Sequence, residues 1–160
     1  IPSDIDLCIS YGKPPVSEER VKRLEKSPLV PVGSAKLFGG NQQSKMEAEK
    51  LTHYTLIHAD DGTEWRDWFR LTNVENIKAE RNLYLGTGYH NVLDCIRRGL
   101  GIGLMATRFI EKDLTSGRLT VLHTETTFQP EYYYVTHPKE EYRSAAGRDF
   151  ESWLYALWQQ

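Results

Sequence analysis

The chain has 160 residues, and 20 Lys plus Arg against 22 Asp plus Glu leave a formal net charge of -2. That length fits one globular domain or two small lobes, and 39% hydrophobic with 26% charged residues supplies a core and argues against disorder of the whole chain. Apolar runs such as 102–105 fall far short of the roughly 20 residues a membrane span needs, and the opening residues read as neither a secretory nor a transit segment. Near-neutral charge speaks against DNA binding by this polypeptide alone, because phosphate recognition needs clustered Lys and Arg. Cys8 and Cys95 lie in apolar patterns without a second cysteine at metal-ligand spacing. They suit a reducing, cytoplasmic setting, with one long-range disulfide as the alternative.

Residues 3–12 alternate, with Ile5, Leu7, Ile9 and Tyr11 on one face and Asp4, Asp6, Cys8 and Ser10 on the other. This predicts a strand closed by Gly12, Pro14 and Pro15. A parallel strand needs a neighbour and a crossover, so the natural protein is expected to continue upstream of Ile1. Residues 21–32 carry Leu24, Leu29, Val30 and Val32 but are broken by Pro28 and Pro31, which predicts an irregular strand at a sheet edge or crossing between lobes. Ser44 with Glu47 three residues on reads as a capping box and predicts a short helix over 45–51.

Thr55-Leu56-Ile57-His58 reads as a buried strand ending in an Asp60-Asp61-Gly62 loop, and Trp65, Trp68 and Phe69 share one face of a helix over 63–70. Leu83-Tyr84-Leu85 is a brief strand that passes through Gly86-Thr87-Gly88 into a helix with Tyr89, Val92, Leu93 and Ile96 inward, stopped by Gly99. A strand over 102–105, a helix over 108–114, strands at 119–122 and 132–136, and a helix over 144–158 follow. The last helix carries Ala146, Phe150, Trp153, Leu154 and Leu157 on one stripe, read as the face laid on a sheet. Strand and helix alternate, which predicts an α/β architecture with mostly parallel sheets.

Gly99-Leu100-Gly101-Ile102-Gly103 has the glycines of a nucleotide loop, but a helix precedes it and a strand follows, the reverse of the order that chemistry requires. Neither cysteine stands at a spacing from a histidine that supports a nucleophile and base, so both read as small buried hydrophobes. Asp60 and Asp61 lack further oxygen ligands and read as a solvated turn, so no metal is assigned. The informative segment is Gly86-Thr87-Gly88-Tyr89, which places a hydroxyl and backbone N–H groups at a helix start. There they either hold an anionic or carbonyl-bearing ligand or simply cap the helix. Ligands collect at the carboxyl ends of parallel strands, and those ends carry Tyr11-Gly12-Lys13, His58-Ala59-Asp60 and Thr87-Gly88-Tyr89.

Asp4-Ile5-Asp6-Leu7-Cys8-Ile9-Ser10-Tyr11-Gly12 resembles the D-x-D-L-x-I-R-Y-G strand of LysR-type transcriptional regulators, in the branch of glycine-cleavage and β-lactamase regulators. Leu56-Ile57-His58 with Glu64-Trp65 and Trp68-Phe69, Val92-Leu93-Asp94 running to Gly99-Leu100-Gly101-Ile102-Gly103-Leu104, and Gly117-Arg118-Leu119-Thr120-Val121-Leu122 resemble later segments of that branch in the same order. So do Tyr132-Tyr133-Tyr134-Val135 and Phe150-Glu151-Ser152-Trp153-Leu154. The chain departs at Ser10, where the branch has arginine, and at Cys95-Ile96, where it has a small pair.

The resemblance implies a two-lobed effector-binding domain similar to periplasmic solute-binding proteins. Residues 1–20 and 120–160 would form an incomplete first lobe and 21–119 the second. It implies no enzyme and no cofactor, and a small-molecule inducer, a carboxylate or an amino acid, bound between the lobes. Promoter DNA would be reached only through an N-terminal winged helix-turn-helix absent from this chain, in a homodimer or homotetramer away from any membrane. Tyr11 and Tyr89 would offer rings and hydroxyls and Lys13 a charge for a carboxylate. Thr87 with the Gly88 and Tyr89 N–H groups would cap an anionic end, His58 and Ala59 would line the second lobe, and Tyr133 would approach from the return strand. A two-lobed solute-binding protein of a transport system is the alternative; a hydrolase using Cys8 would need an activated thiol.

Overall fold

The computed structural model describes residues 5–12, 21–24, 28–40, 45–75, 77–86, 88–127 and 132–158. In chain order its strands and α-helices are β1 (Cys8–Gly12), β2 (Val21–Arg23), β3 (Leu29–Ser34), β4 (Thr55–His58), α1 (Thr63–Leu71), β5 (Arg81–Tyr84), α2 (Tyr89–Arg97), β6 (Ile102–Ala106), α3 (Thr107–Thr115), β7 (Leu119–Val121), β8 (Tyr132–Thr136) and α4 (Ala145–Trp158). The chain divides into two compact units, Ile1–Lys26 with Gln129–Gln160, and Ser27–Phe128.

The second unit is a five-stranded sheet in the order β5-β4-β6-β3-β7. β4 pairs in parallel with both β5 and β6, and β3 runs antiparallel to β6 and to β7. Alternation along these strands divides the apolar side chains between two cores. Leu56, Ile102 and Leu104 face Trp65, Trp68 and Phe69 of α1, while Ile57, Val32 and Met105 face Val92 and Ile96 of α2 and Ile110 of α3. Gly103 lets α2 seat closely, because a Cβ there would stand 2.6 Å from the Ile96 Cδ1. Asp113, buried on α3, holds Arg97 of α2 at 2.6 Å and Arg118 at 3.1 Å. The hydrogen bond from Arg97 holds its carboxyl below the usual 3.8.

The first unit is a three-stranded sheet in the order β1-β8-β2, antiparallel throughout. Its core is small: Leu24, Val135 and Leu154, with Leu7, Tyr133, Tyr155 and Trp158 packed against them. Glu151 of α4 is buried and paired, with Lys22 of β2 at 2.9 Å and with Arg143. Burial and the Glu151 charge push the Tyr155 hydroxyl up to about 12.

The α/β reading holds, and four expectations need correction. One sheet is mixed and the other antiparallel, rather than mostly parallel, because only strands joined by crossover helices share a direction. β4, β5 and β6 do, but β3 enters before any crossover and β8 returns between β1 and β2. The stretch 21–32 splits into an edge strand, β2, in the first unit and β3 in the second, and Pro31 sits in β3, an inner strand. Its carbonyl accepts the Leu122 N–H at 2.9 Å, and its hydrogen-free nitrogen faces the same side, just where β7 has ended. The helix expected over 45–51 is a 3₁₀ segment, Ala48–His53. The Met46 N–H is taken by the Leu122 carbonyl, and Glu47 makes no side-chain cap; Ser44 lies outside the described residues. Finally, α4 turns Gly147, Glu151 and Leu154 inward, leaving Phe150, Trp153 and Leu157 exposed. Among the described residues no helix is long and apolar enough to cross a membrane.

Candidate functional site

The order of β4, β5 and β6 gives the sheet a switch point, the position at which sheets of this kind form a ligand crevice. From β4 the chain crosses through α1 to β5 on one side, then returns through α2 to β6 on the other, so α1 and α2 lie on opposite faces. The carboxyl ends of β4 and β6 therefore diverge where the winding reverses, the place at which α/β sheets take ligands. Ala59-Asp60, Gly62-Thr63, Gly88-Tyr89 and Ala106-Thr107 surround that point as strand ends and helix starts.

The helix starts differ. The α1 start is filled by its own sequence: Asp60 accepts the Gly62 and Glu64 N–H groups at 2.9 Å each, and Asp61 accepts the N–H and hydroxyl of Thr63. The Thr63 hydroxyl holds the Asp61 carboxyl below its usual range. These acids, read from sequence as a solvated turn, are the cap of α1. At α2 the capping position is Gly88, which has no side chain to offer, and the Asn91 N–H turns to the Gly88 carbonyl at 3.1 Å. Tyr89, half-buried in the first turn, donates its hydroxyl to the Glu64 carboxylate, tying the starts of α1 and α2 together.

Of the residues expected to line a ligand, Ala59 follows β4 and Tyr89 opens α2, both half-buried against the α2-face core, and Gly88 stands at the capping position of α2. His58 ends β4, yet its side chain turns to the α1 face, one residue of alternation away from Ala59. It is 4% exposed, its ring stacks on Tyr84 at 4.3 Å, and Nε2 lies 2.8 Å from Asn82 Oδ1. Among the described residues Nδ1 has no partner, a state that costs about 1–3 kcal/mol for a buried polar atom. In the first unit the backbone register sets Tyr11 opposite Tyr133. The Tyr133 ring tilts against Trp158 at 5.9 Å. Lys13, Thr87 and the Tyr11 side chain lie outside the described residues.

Sequence reading missed Glu64, Asn82 and Tyr84. The last two stand directly across from Leu56 and His58 in the parallel register, a pairing that alignment of the two strand patterns carries. Cys8 and Cys95 are free thiols. Among the described residues no three His, Cys, Asp or Glu converge as metal ligands.

The family model described as the LysR substrate binding domain matches residues 3–159. The glycine cleavage system transcriptional activator of Escherichia coli is 23% identical over 153 residues, covering 96% of this chain and 50% of its own. This chain thus spans about half the length of that relative. The effector domain of the transcriptional regulator AmpR of Pseudomonas aeruginosa superposes with a TM-score of 0.77 at 19% identity, over 96% of this chain and 71% of its own. The full-length regulator LysG of Corynebacterium glutamicum, with its effector Arg bound, superposes at 0.64 and 16% identity, over 96% of this chain and 51% of its own.

Proposed function

The chain belongs to the LysR substrate binding domain family, and from that premise we propose that it is the inducer-sensing part of a transcriptional regulator. Domains of this family bind effectors and catalyse no reaction; the chain is not an enzyme. The observation that carries the proposal is the crevice at the β4 and β6 ends, where the α2 start lacks a side-chain cap and the Glu64 carboxylate stands beside it. Backbone N–H groups and the helix dipole favour a carboxylate at Gly88–Tyr89, and Glu64 favours a positive group next to it. An α-amino acid carries both on one carbon, so the inducer is an amino acid rather than a simple carboxylate. LysG, whose effector is arginine, is in keeping with that chemistry.

Thr87 would add a hydroxyl to the carboxylate end and Ala59 a wall. The two-lobed reading adds Tyr11, Lys13 and Tyr133 of the first unit as further candidates, while His58, whose carbonyl accepts the Leu85 N–H, leaves the lining to the Ala59 backbone. On this reading the inducer acts by binding one arrangement of the regulator more tightly than another, a preference worth about 1–3 kcal/mol in such couplings. Promoter contact, through a segment other than this one, a homodimer or homotetramer, a cytoplasmic setting and kinship with the glycine-cleavage branch belong to the same proposal.

Thermal shifts across a panel of amino acids, their amides and their deaminated acids test it. A shift is expected with an intact amino acid and with neither analogue, and Glu64→Gln weakens it while Lys112→Gln, on α3, does not. Equal shifts for the amino acid and its deaminated acid would contradict the assignment.

A further inference from the structure

The side chain of His58 opens onto a second pocket, on the α1 face of the second unit at the β5 edge of its sheet. The cavity measures about 410 Å³, within the range of small-molecule sites, roughly 300–1,000 Å³. Its floor is apolar: Leu56, Trp65 and Phe69 are almost fully buried. The Trp65 Nε1 already donates to the Ile57 carbonyl at 3.0 Å, so the indole contributes a face and no free donor. At the rim stand Asn82 and Tyr84, with Arg66 engaged by the Thr63 hydroxyl at 2.9 Å.

One buried polar atom in this wall has no partner among the described residues. The Asn82 Oδ1 accepts from His58 Nε2, which places the proton of the neutral ring on Nε2 and leaves Nδ1 as a bare acceptor. The backbone donors nearest in sequence are taken, Gly62 N–H by Asp60 and Thr63 N–H by Asp61. Gly62 holds a left-handed φ of 96°, and a Cβ there would stand 3.6 Å from Nδ1 and 3.4 Å from the Tyr84 ring. Glycine therefore keeps the space beside the imidazole narrow but open, and the exposed Tyr84 ring is the group that must swing aside to admit an occupant.

We propose that this pocket is a second ligand site, apart from the crevice at the β4 and β6 ends, for a small neutral aromatic molecule bearing one O–H or N–H donor. The ring lies against Ile77, Ala79 and the Tyr84 ring, above the buried floor, and the donor supplies the hydrogen that His58 Nδ1 lacks. An anion brings no hydrogen for Nδ1 and would meet the Asp61 carboxylate in the pocket wall, where Arg66 carries the opposite charge.

Phenol and toluene differ by that one donor and are the probes. Titration of the chain with phenol is expected to saturate a change in tryptophan fluorescence and to move the His58 Nδ1 resonance in nitrogen NMR. Toluene is expected to bind about tenfold more weakly, a loss typical of one buried hydrogen bond, and to leave that resonance in place. His58→Phe keeps the stack on Tyr84 and removes the acceptor, so the two probes should then bind alike. Gly88→Asp, which blocks the crevice, should leave the phenol titration unchanged, so this pocket and the amino-acid reading can fail separately. Equal binding of phenol and toluene to the parent chain, an unmoved Nδ1 resonance at saturation, or loss of phenol binding in Gly88→Asp would each overturn the proposal.

Discussion

In the second unit both faces of the sheet are covered by helices, and Trp68, Phe69, Ile96 and Ile110 are sealed from solvent; in the first unit, among the described residues, only Leu24, Val135 and Leu154 are buried apolar side chains. There α4 shows Phe150, Trp153 and Leu157 outward, and Ile5 and Ile9 are exposed as well. What the first unit lacks in buried area it partly makes up with charge, since Glu151, 3% exposed, sits between Lys22 and Arg143. The difference teaches that one sheet is held by packing and the other by a few local contacts and ion pairs, so the two should answer differently to truncation and to pH.

Tryptophan truncation separates them most sharply. Trp68→Ala empties the second unit's core and removes the hydrogen bond to the Glu125 carbonyl at 3.0 Å, and should cost about 3–5 kcal/mol in a denaturant melt. Next comes the buried Asp113. Asp113→Asn should cost about 1–3 kcal/mol at neutral pH by leaving Arg97 and Arg118 without their countercharge. Its folded pKa is depressed, so the contribution is full above the unfolded value of 3.8 and is lost as pH falls through the folded one. Melts of the parent and the variant should therefore converge in strong acid; a constant gap would break the assignment.

The first unit should fail at the opposite end of the scale. Tyr155 is raised from 10.0 to about 12, so its contribution is present below pH 10 and lost as pH rises through 12. Ultraviolet titration should show one of the nine tyrosines ionising last, and Tyr155→Phe should remove that step. The smallest effect belongs to Trp153→Ala, which should stay within about 0.5 kcal/mol because the ring is 56% exposed. A loss near that of Trp68→Ala would mean that the α4 stripe is covered in solution.

The same contrast explains what could be read from sequence. α1, α2 and β6 were legible because a single apolar period and Gly99, at a φ of 79°, leave one way to wind them. α4 was legible only at Leu154, since Phe150, Trp153 and Leu157 compete with Gly147 and Trp158, and Lys22, 129 positions away along the chain, pairs with Glu151 on the inward side. Gly88 and Tyr89 were legible as a helix start. That His58 faces α1 while Ala59 faces α2 depends on the sheet's two-sided cover, which no local pattern holds. The filling of the α1 start by Asp60 and Asp61 was likewise invisible until the turn geometry was known.

Gly88→Asp tests the central claim most directly. The position has no positive φ, and a Cβ there meets nothing within 4 Å, so the new carboxylate can cap α2. If an effector carboxylate binds at this helix start, calorimetry should find a chain a few tenths of a kcal/mol more stable that no longer binds the amino acid its parent binds. Undiminished binding by the capped variant would contradict the account.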